Sequence, residues 1–324
     1  MREALFVKQN TQRWQSYQNL KDKSPDELAS AFISITDDLA YAKTFYPKSK
    51  TTQYLNGLAA TFHQNIYKNK KENTNRFINF WQYELPMVFY KHKKTLLYAF
   101  VIFTVFSLMG ALSAKYDNTF VRAIMGNDYI NMTNNNIKKG DPFGVYKQGN
   151  EFLMFIQIAF NNIMVELLIF VMGIIFSVGS IYQLMSNGIM LGSFQYYFFS
   201  KNLGWQSILV IWIHGTLEIS AIILAGGAGM IMGNSLIFPK TYSRMLSLKK
   251  GAKEGLKIAI GVIPIFLTAA FFEGFVTRHT EMPVGLSLII LLSSLSFIIW
   301  YVILYPALLN QKLNHTLNKN GTNN

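Results

Sequence analysis

Between Leu167 and Ser200 the chain runs 34 residues without an Asp, Glu, Lys or Arg. A bilayer core is about 30 Å thick, so a helix rising 1.5 Å per residue crosses it with roughly 20 mostly apolar residues. The run is too long for one ordinary span and short for two. Taken with the mildly polar residues before it, it reads as two helices, 159–180 and 183–201, joined by a tight turn near Gly179-Ser180. Four further stretches pass the same test: 95–114, 205–236, 256–276 and 284–304. The stretch 205–236 is long enough to require tilting or a break. Gly226-Gly227-Ala228-Gly229 is where its helix could unwind, as broken helices do at transporter sites.

Composition supports this reading through missing charge. Charged residues make up 15% of the chain, against about 25% in an ordinary soluble domain. A single soluble domain, a disordered chain and a secreted disulfide scaffold are excluded. The absence of Cys removes disulfides, thiolate nucleophiles and Cys metal sites. Residues 1–14 hold no continuous apolar core of the kind a cleavable signal peptide needs.

The net charge of +13 is a topological signal. With six spans and an inside N-terminus, the inside segments 1–94, the turn near 180, 237–255 and the tail after 305 carry 15, 0, 5 and 2 Lys/Arg. The outside segments 115–158, 202–204 and 277–283 carry 5, 0 and 1. Cytoplasmic loops hold the Lys/Arg excess, so both termini are expected inside, at the cell inner (cytoplasmic) membrane. Were 183–201 re-entrant, the basic 237–257 stretch would move outside. Trp205, Tyr98, Trp300, Tyr301 and Tyr305 lie near span ends, where amphipathic rings settle. Because the positive charge lies beside spans, nucleic acid is not an expected partner; the lipid bilayer is.

Residues 1–73 read as a helical bundle. Ser24-Pro25-Asp26-Glu27 is a helix start with an N-cap, a Pro at the first position and a capping-box Glu. Leu28, Phe32, Ile35, Leu39 and Ala42 follow at helical spacing, and Tyr46-Pro47 ends the helix. A second helix from Thr51 carries Tyr54, Leu58, Phe62 and Ile66 on one face. Residues 74–94 read as an interfacial amphipathic helix kinked at Pro86, with Lys91, Lys93 and Lys94 at the membrane surface. The 115–151 loop is rich in Asn, Gly and Asp and too polar for core; it carries the sequon-like Asn131-Met132-Thr133. The tail 306–324 reads as polar and disordered.

Ionisable groups at membrane depth cost about 2.5–3.5 kcal/mol on insertion scales. Glu166, His214, Glu218 and Glu273 lie there. His214 and Glu218, four apart, share one helix face, as do Asn162 and Glu166. Packing the two faces together would give an Asn–Glu–His–Glu cluster. Three readings are open: a satisfied polar network, a proton or ion pathway, and a catalytic or metal site. There is no HExxH motif, and no metal or other cofactor is assigned. Gly188/Gly192 and Gly229/Gly233 are two GxxxG pairs, which let helix backbones meet within one chain or between two.

The combination Asn161-Asn162, Gly173, Gly179, Asn187-Gly188, Gly192 and His214-Gly215-Thr216-Leu217-Glu218, with its Gly/Ala-rich continuation, resembles the stage II sporulation protein M family. Trp14, Asp37-Asp38-Leu39 and Tyr46-Pro47 are similar to the broad version of that family. The resemblance runs from about residue 10 to 305. It implies a polytopic membrane protein. In spore formers the family member is a membrane scaffold that holds peptidoglycan-degrading enzymes at the septum. The long helical part ahead of the first span departs from the shorter sporulation-type proteins.

The expectation is therefore an all-α, polytopic helical membrane protein with about six transmembrane helices across 95–305 and a cytoplasmic helical N-terminal region. It is expected to be a non-enzymatic organiser of the cell envelope, homo-oligomeric (a dimer), with envelope or peptidoglycan-remodelling proteins as partners. The alternatives are a proton- or ion-coupled transporter or channel using the intramembrane Glu and His, and a metal-dependent intramembrane hydrolase.

Overall fold

The uncharged runs become helices because a helix satisfies its backbone N–H and C=O groups within its own segment, as hydrocarbon requires. The computed structural model describes residues 2–17, 25–66, 76–117, 119–147 and 149–321, and among these every regular element is helical. The chain forms two compact units, divided between Arg76 and Phe77.

The first unit holds α1 (Glu3–Ser16), α2 (Pro25–Phe45) and α3 (Lys50–Ile66). Its core contains Phe6, Trp14, Ile35, Leu39, Ala42, Leu55 and Phe62. The Trp14 indole N–H donates to Asp38, 2.8 Å away, and Arg13 pairs with the same carboxylate oxygen at 2.6 Å. α2 starts at Pro25 as its sequence predicts, while Ser24 lies outside the described residues. On α3 the buried stripe is Leu55, Ala59 and Phe62, with Tyr54 exposed. The buried face shares Phe62 with the Tyr54–Leu58–Phe62 expectation but is centred on Leu55 and Ala59, with Leu58 partly buried and Tyr54 against the Trp14 ring of α1. Ile66 lies outside the described side chains.

The second unit begins with a lead-in helix over 77–91 and continues into α4 (Lys93–Tyr116) after a turn at His92. Two short helices follow, α5 (Phe120–Met125) and α6 (Asn127–Lys138). Then come α7 (Glu151–Val171), α8 (Val178–Ser200), α9 (Gly204–Ile237), α10 (Arg244–Phe271), α11 (Val284–Ile299) and α12 (Tyr305–Gly321). Five stretches are long and apolar enough to cross a membrane: Lys93–Tyr116, Glu151–Ile174, Gly204–Ile237, Arg244–Val276 and Val284–His315. The protein is a multi-pass membrane protein.

α8 is the sixth long helix. Its 23 residues would rise about 34 Å, but its composition is more polar. Those polar groups are used inside the protein. Ser180 donates to the Ile169 carbonyl at 2.6 Å, Ser193 to Ile189 at 2.8 Å, and Gln195 contacts Ser207 and Trp212. α8 packs parallel to α4. Gly188 meets Phe103 and Ser107, and Gly192 meets Ser107 and Ala111 so closely that a Cβ would strike the Ser107 carbonyl. Its far end joins Ala114, Val121 and Ile130 in one core through Tyr197 and Phe198. α8 therefore runs from one end of the bundle to the other.

Several sequence expectations are corrected. The turn before α8 is at 175–177 rather than Gly179-Ser180, with Phe176 and Ser177 at positive φ. Ser177 is buried and bonded to Met230 and Asn234, which fixes the turn there. α9 does not unwind at its glycines. Gly226 is packed on Leu184, Gly227 on Leu96, and Gly229 on Ser180 and Ile169. α7 and α10 start several residues ahead of their apolar stretches, as N-capping Asn150 and Ser243 dictate. The tail is helical to Gly321 because no breaker follows Pro306. The polar 115–151 loop is a folded roof, with Val121, Ile130, Phe143 and Tyr146 buried against α8 and α9.

The lead-in helix continues through Pro86. Residues Phe80–Glu84 widen to π spacing, and Leu85, Pro86, Val88 and Phe89 are buried. At π spacing the Trp81 carbonyl faces Pro86, which has no N–H to offer. The Tyr301 hydroxyl donates to that carbonyl instead, at 2.7 Å, and Tyr305 donates to the Gln82 carbonyl at 2.9 Å. Lys91 and His92 pair with Glu254, and Lys257 pairs with Glu84. The helix is thereby docked on the bundle. An apolar groove of about 680 Å³ lies beside it, lined by Trp81, Leu217, Pro264, Phe272, Phe297 and Tyr301.

Candidate functional site

His214 and Glu218 sit one turn apart on α9, so both side chains leave the same face. Opposite them, α10 widens into a π segment at Phe272–Val276, closed by the Thr277 N–H on the Phe272 carbonyl at 2.7 Å. Single π turns re-aim side chains and recur at functional sites. This one carries Glu273 and leads to Thr277. The result is a convergence of His214, Glu218 and Glu273, whose ligand-type atoms all lie within 4.8 Å of one another. His214 Nε2 and Glu273 Oε2 are 4.0 Å apart.

The surroundings fix the imidazole. His214 Nδ1 lies 3.0 Å from the hydroxyl oxygen of buried Thr277. The Tyr146 ring meets the imidazole edge-on, with centroids 5.7 Å apart and planes at 61°. Tyr146 comes from the short turn Gly144–Lys147 of the roof, and burial pushes its phenol pKa well up. Arg278, next to Thr277, donates to the carbonyls of Lys147 and Gly149 at 3.0 and 3.2 Å. The roof is thus held over the cluster by the same element that supplies Glu273 and Thr277.

Asn162, on α7, stands within electrostatic reach of Glu218, but its Nδ2 falls short of a formed hydrogen bond although the residue is only 8% exposed. Glu166, one turn along, is fully buried, and neither carboxyl oxygen has a hydrogen-bond partner among the described residues. It lies outside the His–Glu–Glu group. Asn161 faces away from the core and is exposed. Asn187 spends its amide on the Gln183 carbonyl of its own helix, at 2.8 Å.

The glycine pairs serve packing within the chain. Gly188 and Gly192 meet α4. Gly229 and Gly233 meet the segment 169–177. Neither seam is open to a second copy. Of the basic group, Lys91 is paired with Glu254, Lys93 lies over the Tyr90 ring at 4.5 Å, and Lys94 is exposed. Sequence reasoning missed Thr277 and Tyr146. Thr277 is four residues past Glu273, a spacing that could have flagged it. Tyr146 sits in a polar loop with no signal pointing to His214.

Chemically, one imidazole and two carboxylates in a partly enclosed site can share protons or hold a cation. Glu273 keeps 19% of its side chain exposed, so the group is not sealed.

Against known families, the model described as Stage II sporulation protein M matches residues 99–278. That range contains most of α4, the roof, His214, Glu218, Glu273 and Thr277. A second model, described only as a domain of unknown function, matches residues 4–68, the three helices of the first unit. No curated protein and no solved structure matches the chain. With more than half of its length matched, including the whole convergence of α9, α10 and the roof, the chain belongs to the stage II sporulation protein M family.

Proposed function

We propose that this protein organises partners at the cytoplasmic membrane, with both termini inside, and positions envelope-remodelling enzymes such as those acting on peptidoglycan. The observation that carries this reading is the family match over 99–278. Two surfaces suit such a role. The roof is a folded platform held by Arg278 over the ends of the spans. The unit of α1–α3 has its own core and a separate family match, so it can act as a recruiting module. Self-association would use lipid-facing surfaces, since both glycine seams are filled by the chain's own helices.

Affinity purification in mild detergent, with chemical cross-linking before lysis, tests the reading. Envelope enzymes should co-purify with the full chain, and deleting residues 127–138 or 3–66 should each remove a distinct subset. A protein that purifies as a monomer without any envelope partner after cross-linking overturns it.

The convergence of His214, Glu218 and Glu273 within 4.8 Å favours a second reading, an ion- or proton-coupled pathway. Flux in proteoliposomes would then fall at least about tenfold in Glu218→Gln, as expected when an intramembrane carboxylate of a relay is neutralised. Flux unchanged in that variant and in His214→Ala removes the second reading.

A further inference from the structure

We propose that His214, Glu218 and Glu273 form a binding site for one divalent first-row transition-metal ion beneath the roof, independent of the organising role. The three ligand atoms come from two helices and lie within 4.8 Å of one another. Neighbouring ligands around an ion with bonds of about 2.0–2.1 Å stand roughly 3.3 Å apart in tetrahedral geometry. The 4.0 Å between His214 Nε2 and Glu273 Oε2 closes to that value with small side-chain rotations. Two carboxylates this close repel one another unless a cation or proton lies between them.

The imidazole is oriented for the task. When Nδ1–H donates to the Thr277 hydroxyl, 3.0 Å away, the Nε2 lone pair faces the two carboxylates. Metal-binding histidines carry such a partner on the other nitrogen, which sets tautomer and ring orientation. Thr277 is here a positioning residue.

Asn162 on α7 is more than nine-tenths buried and stands beside Glu218, so a neutral amide rather than a competing cation flanks that carboxylate. Three protein ligands leave at least one position for water, and the exposed part of Glu273 gives a path for exchange.

The donor set selects the metal. One imidazole with carboxylates suits Zn²⁺, Mn²⁺ or Co²⁺ better than Mg²⁺ or Ca²⁺, which prefer oxygen alone. The site supplies a charge of −2 against a divalent ion.

The test uses the full chain in detergent, stripped with a chelator, reloaded with Zn²⁺ and desalted, with bound metal measured by elemental analysis. About one Zn²⁺ per chain should remain. Co²⁺ should give the visible spectrum of a low-symmetry site with a nitrogen ligand. Thr277→Val should weaken binding by about 10–100-fold, the usual effect of removing such a partner. His214→Ala and Glu273→Gln should weaken it more, whereas His279→Ala, at an exposed histidine nearby, should leave it unchanged. Should His214→Ala fail to fold, the nearly isosteric Glu273→Gln and the Co²⁺ spectrum of the unaltered protein decide. Wild-type protein that retains no Zn²⁺, tighter binding of Ca²⁺ than of Zn²⁺, or a Glu273→Gln variant that binds as the wild type does would each overturn the site.

Discussion

At the residue scale, glycine shows how one atom can decide a membrane fold. A Cβ at Gly192 would strike the Ser107 carbonyl and crowd the Ala111 amide, both rigid backbone. Gly192→Ala should therefore destabilise the second unit by about 1–3 kcal/mol, the range for overpacking a filled site. Gly57, exposed on α3, is the opposite case, because a Cβ there meets nothing within 4 Å. Gly57→Ala should stabilise the first unit by about 0.5–1 kcal/mol through the loss of unfolded-state freedom. Thermal unfolding in detergent checks both. Tyr129 of the roof carries a pH prediction. Burial raises its phenol pKa to about 12 from the ordinary tyrosine value of 10.0. A folded-state pKa above the unfolded one means that the folded state keeps its proton longer. The stabilisation is complete below pH 10 and is lost as pH rises toward 12. An ultraviolet tyrosinate titration should show a late component that Tyr129→Phe removes.

At the element scale, the lead-in helix shows how a proline can be accommodated inside a helix. Pro86 removes one donor, π spacing places the Trp81 carbonyl opposite the gap, and Tyr301, just past the end of α11, fills it. A π segment, Trp300–Leu304, also precedes Pro306. Tyr301→Phe should cost about 1–2 kcal/mol, because a partly buried carbonyl loses its donor. In a Pro86→Ala background the new N–H can take that carbonyl, so the penalty should shrink by about 0.5 kcal/mol or more, a non-additivity read in a double-mutant cycle. Additive losses would sink this account. Elements like these mark the limit of what sequence carries. The start of α2 at Pro25, the spans and the i,i+4 pairing of His214 with Glu218 are local and legible. The meeting of Glu273 with that pair is not, because a π turn in α10 sets it. The roof helices were hidden because Val121, Ile130 and Thr133 sit among asparagines that mask their spacing. The helical tail was missed because polar residues without a breaker can continue a helix already begun.

At the scale of the whole molecule, the parallel packing of α4 and α8 is the feature on which topology turns. Parallel neighbours start from the same end of the bundle, so if α4 carries the chain across, α8 must carry it across in the same sense. The turn at 175–177 and the end of α8 at Ser200 then lie on opposite sides, and the basic 242–257 stretch falls on the side of the lead-in helix. There Glu254 and Lys257 meet Lys91, His92 and Glu84. The positive-inside bias agrees with this geometry, although the uncharged turn contributes nothing to it. The chain has no Cys, so single cysteines report side directly. Lys139→Cys, Lys201→Cys and His279→Cys should react with an impermeant maleimide in intact cells. Phe176→Cys and Tyr242→Cys should react only after permeabilisation. Phe176 and Tyr242 are exposed at the other end of the bundle, so failure to label from outside would not come from burial. If Lys201→Cys and Phe176→Cys reacted from the same side, α8 would be re-entrant. The basic stretch would then face outward, and the parallel packing of α4 and α8 could not hold as described.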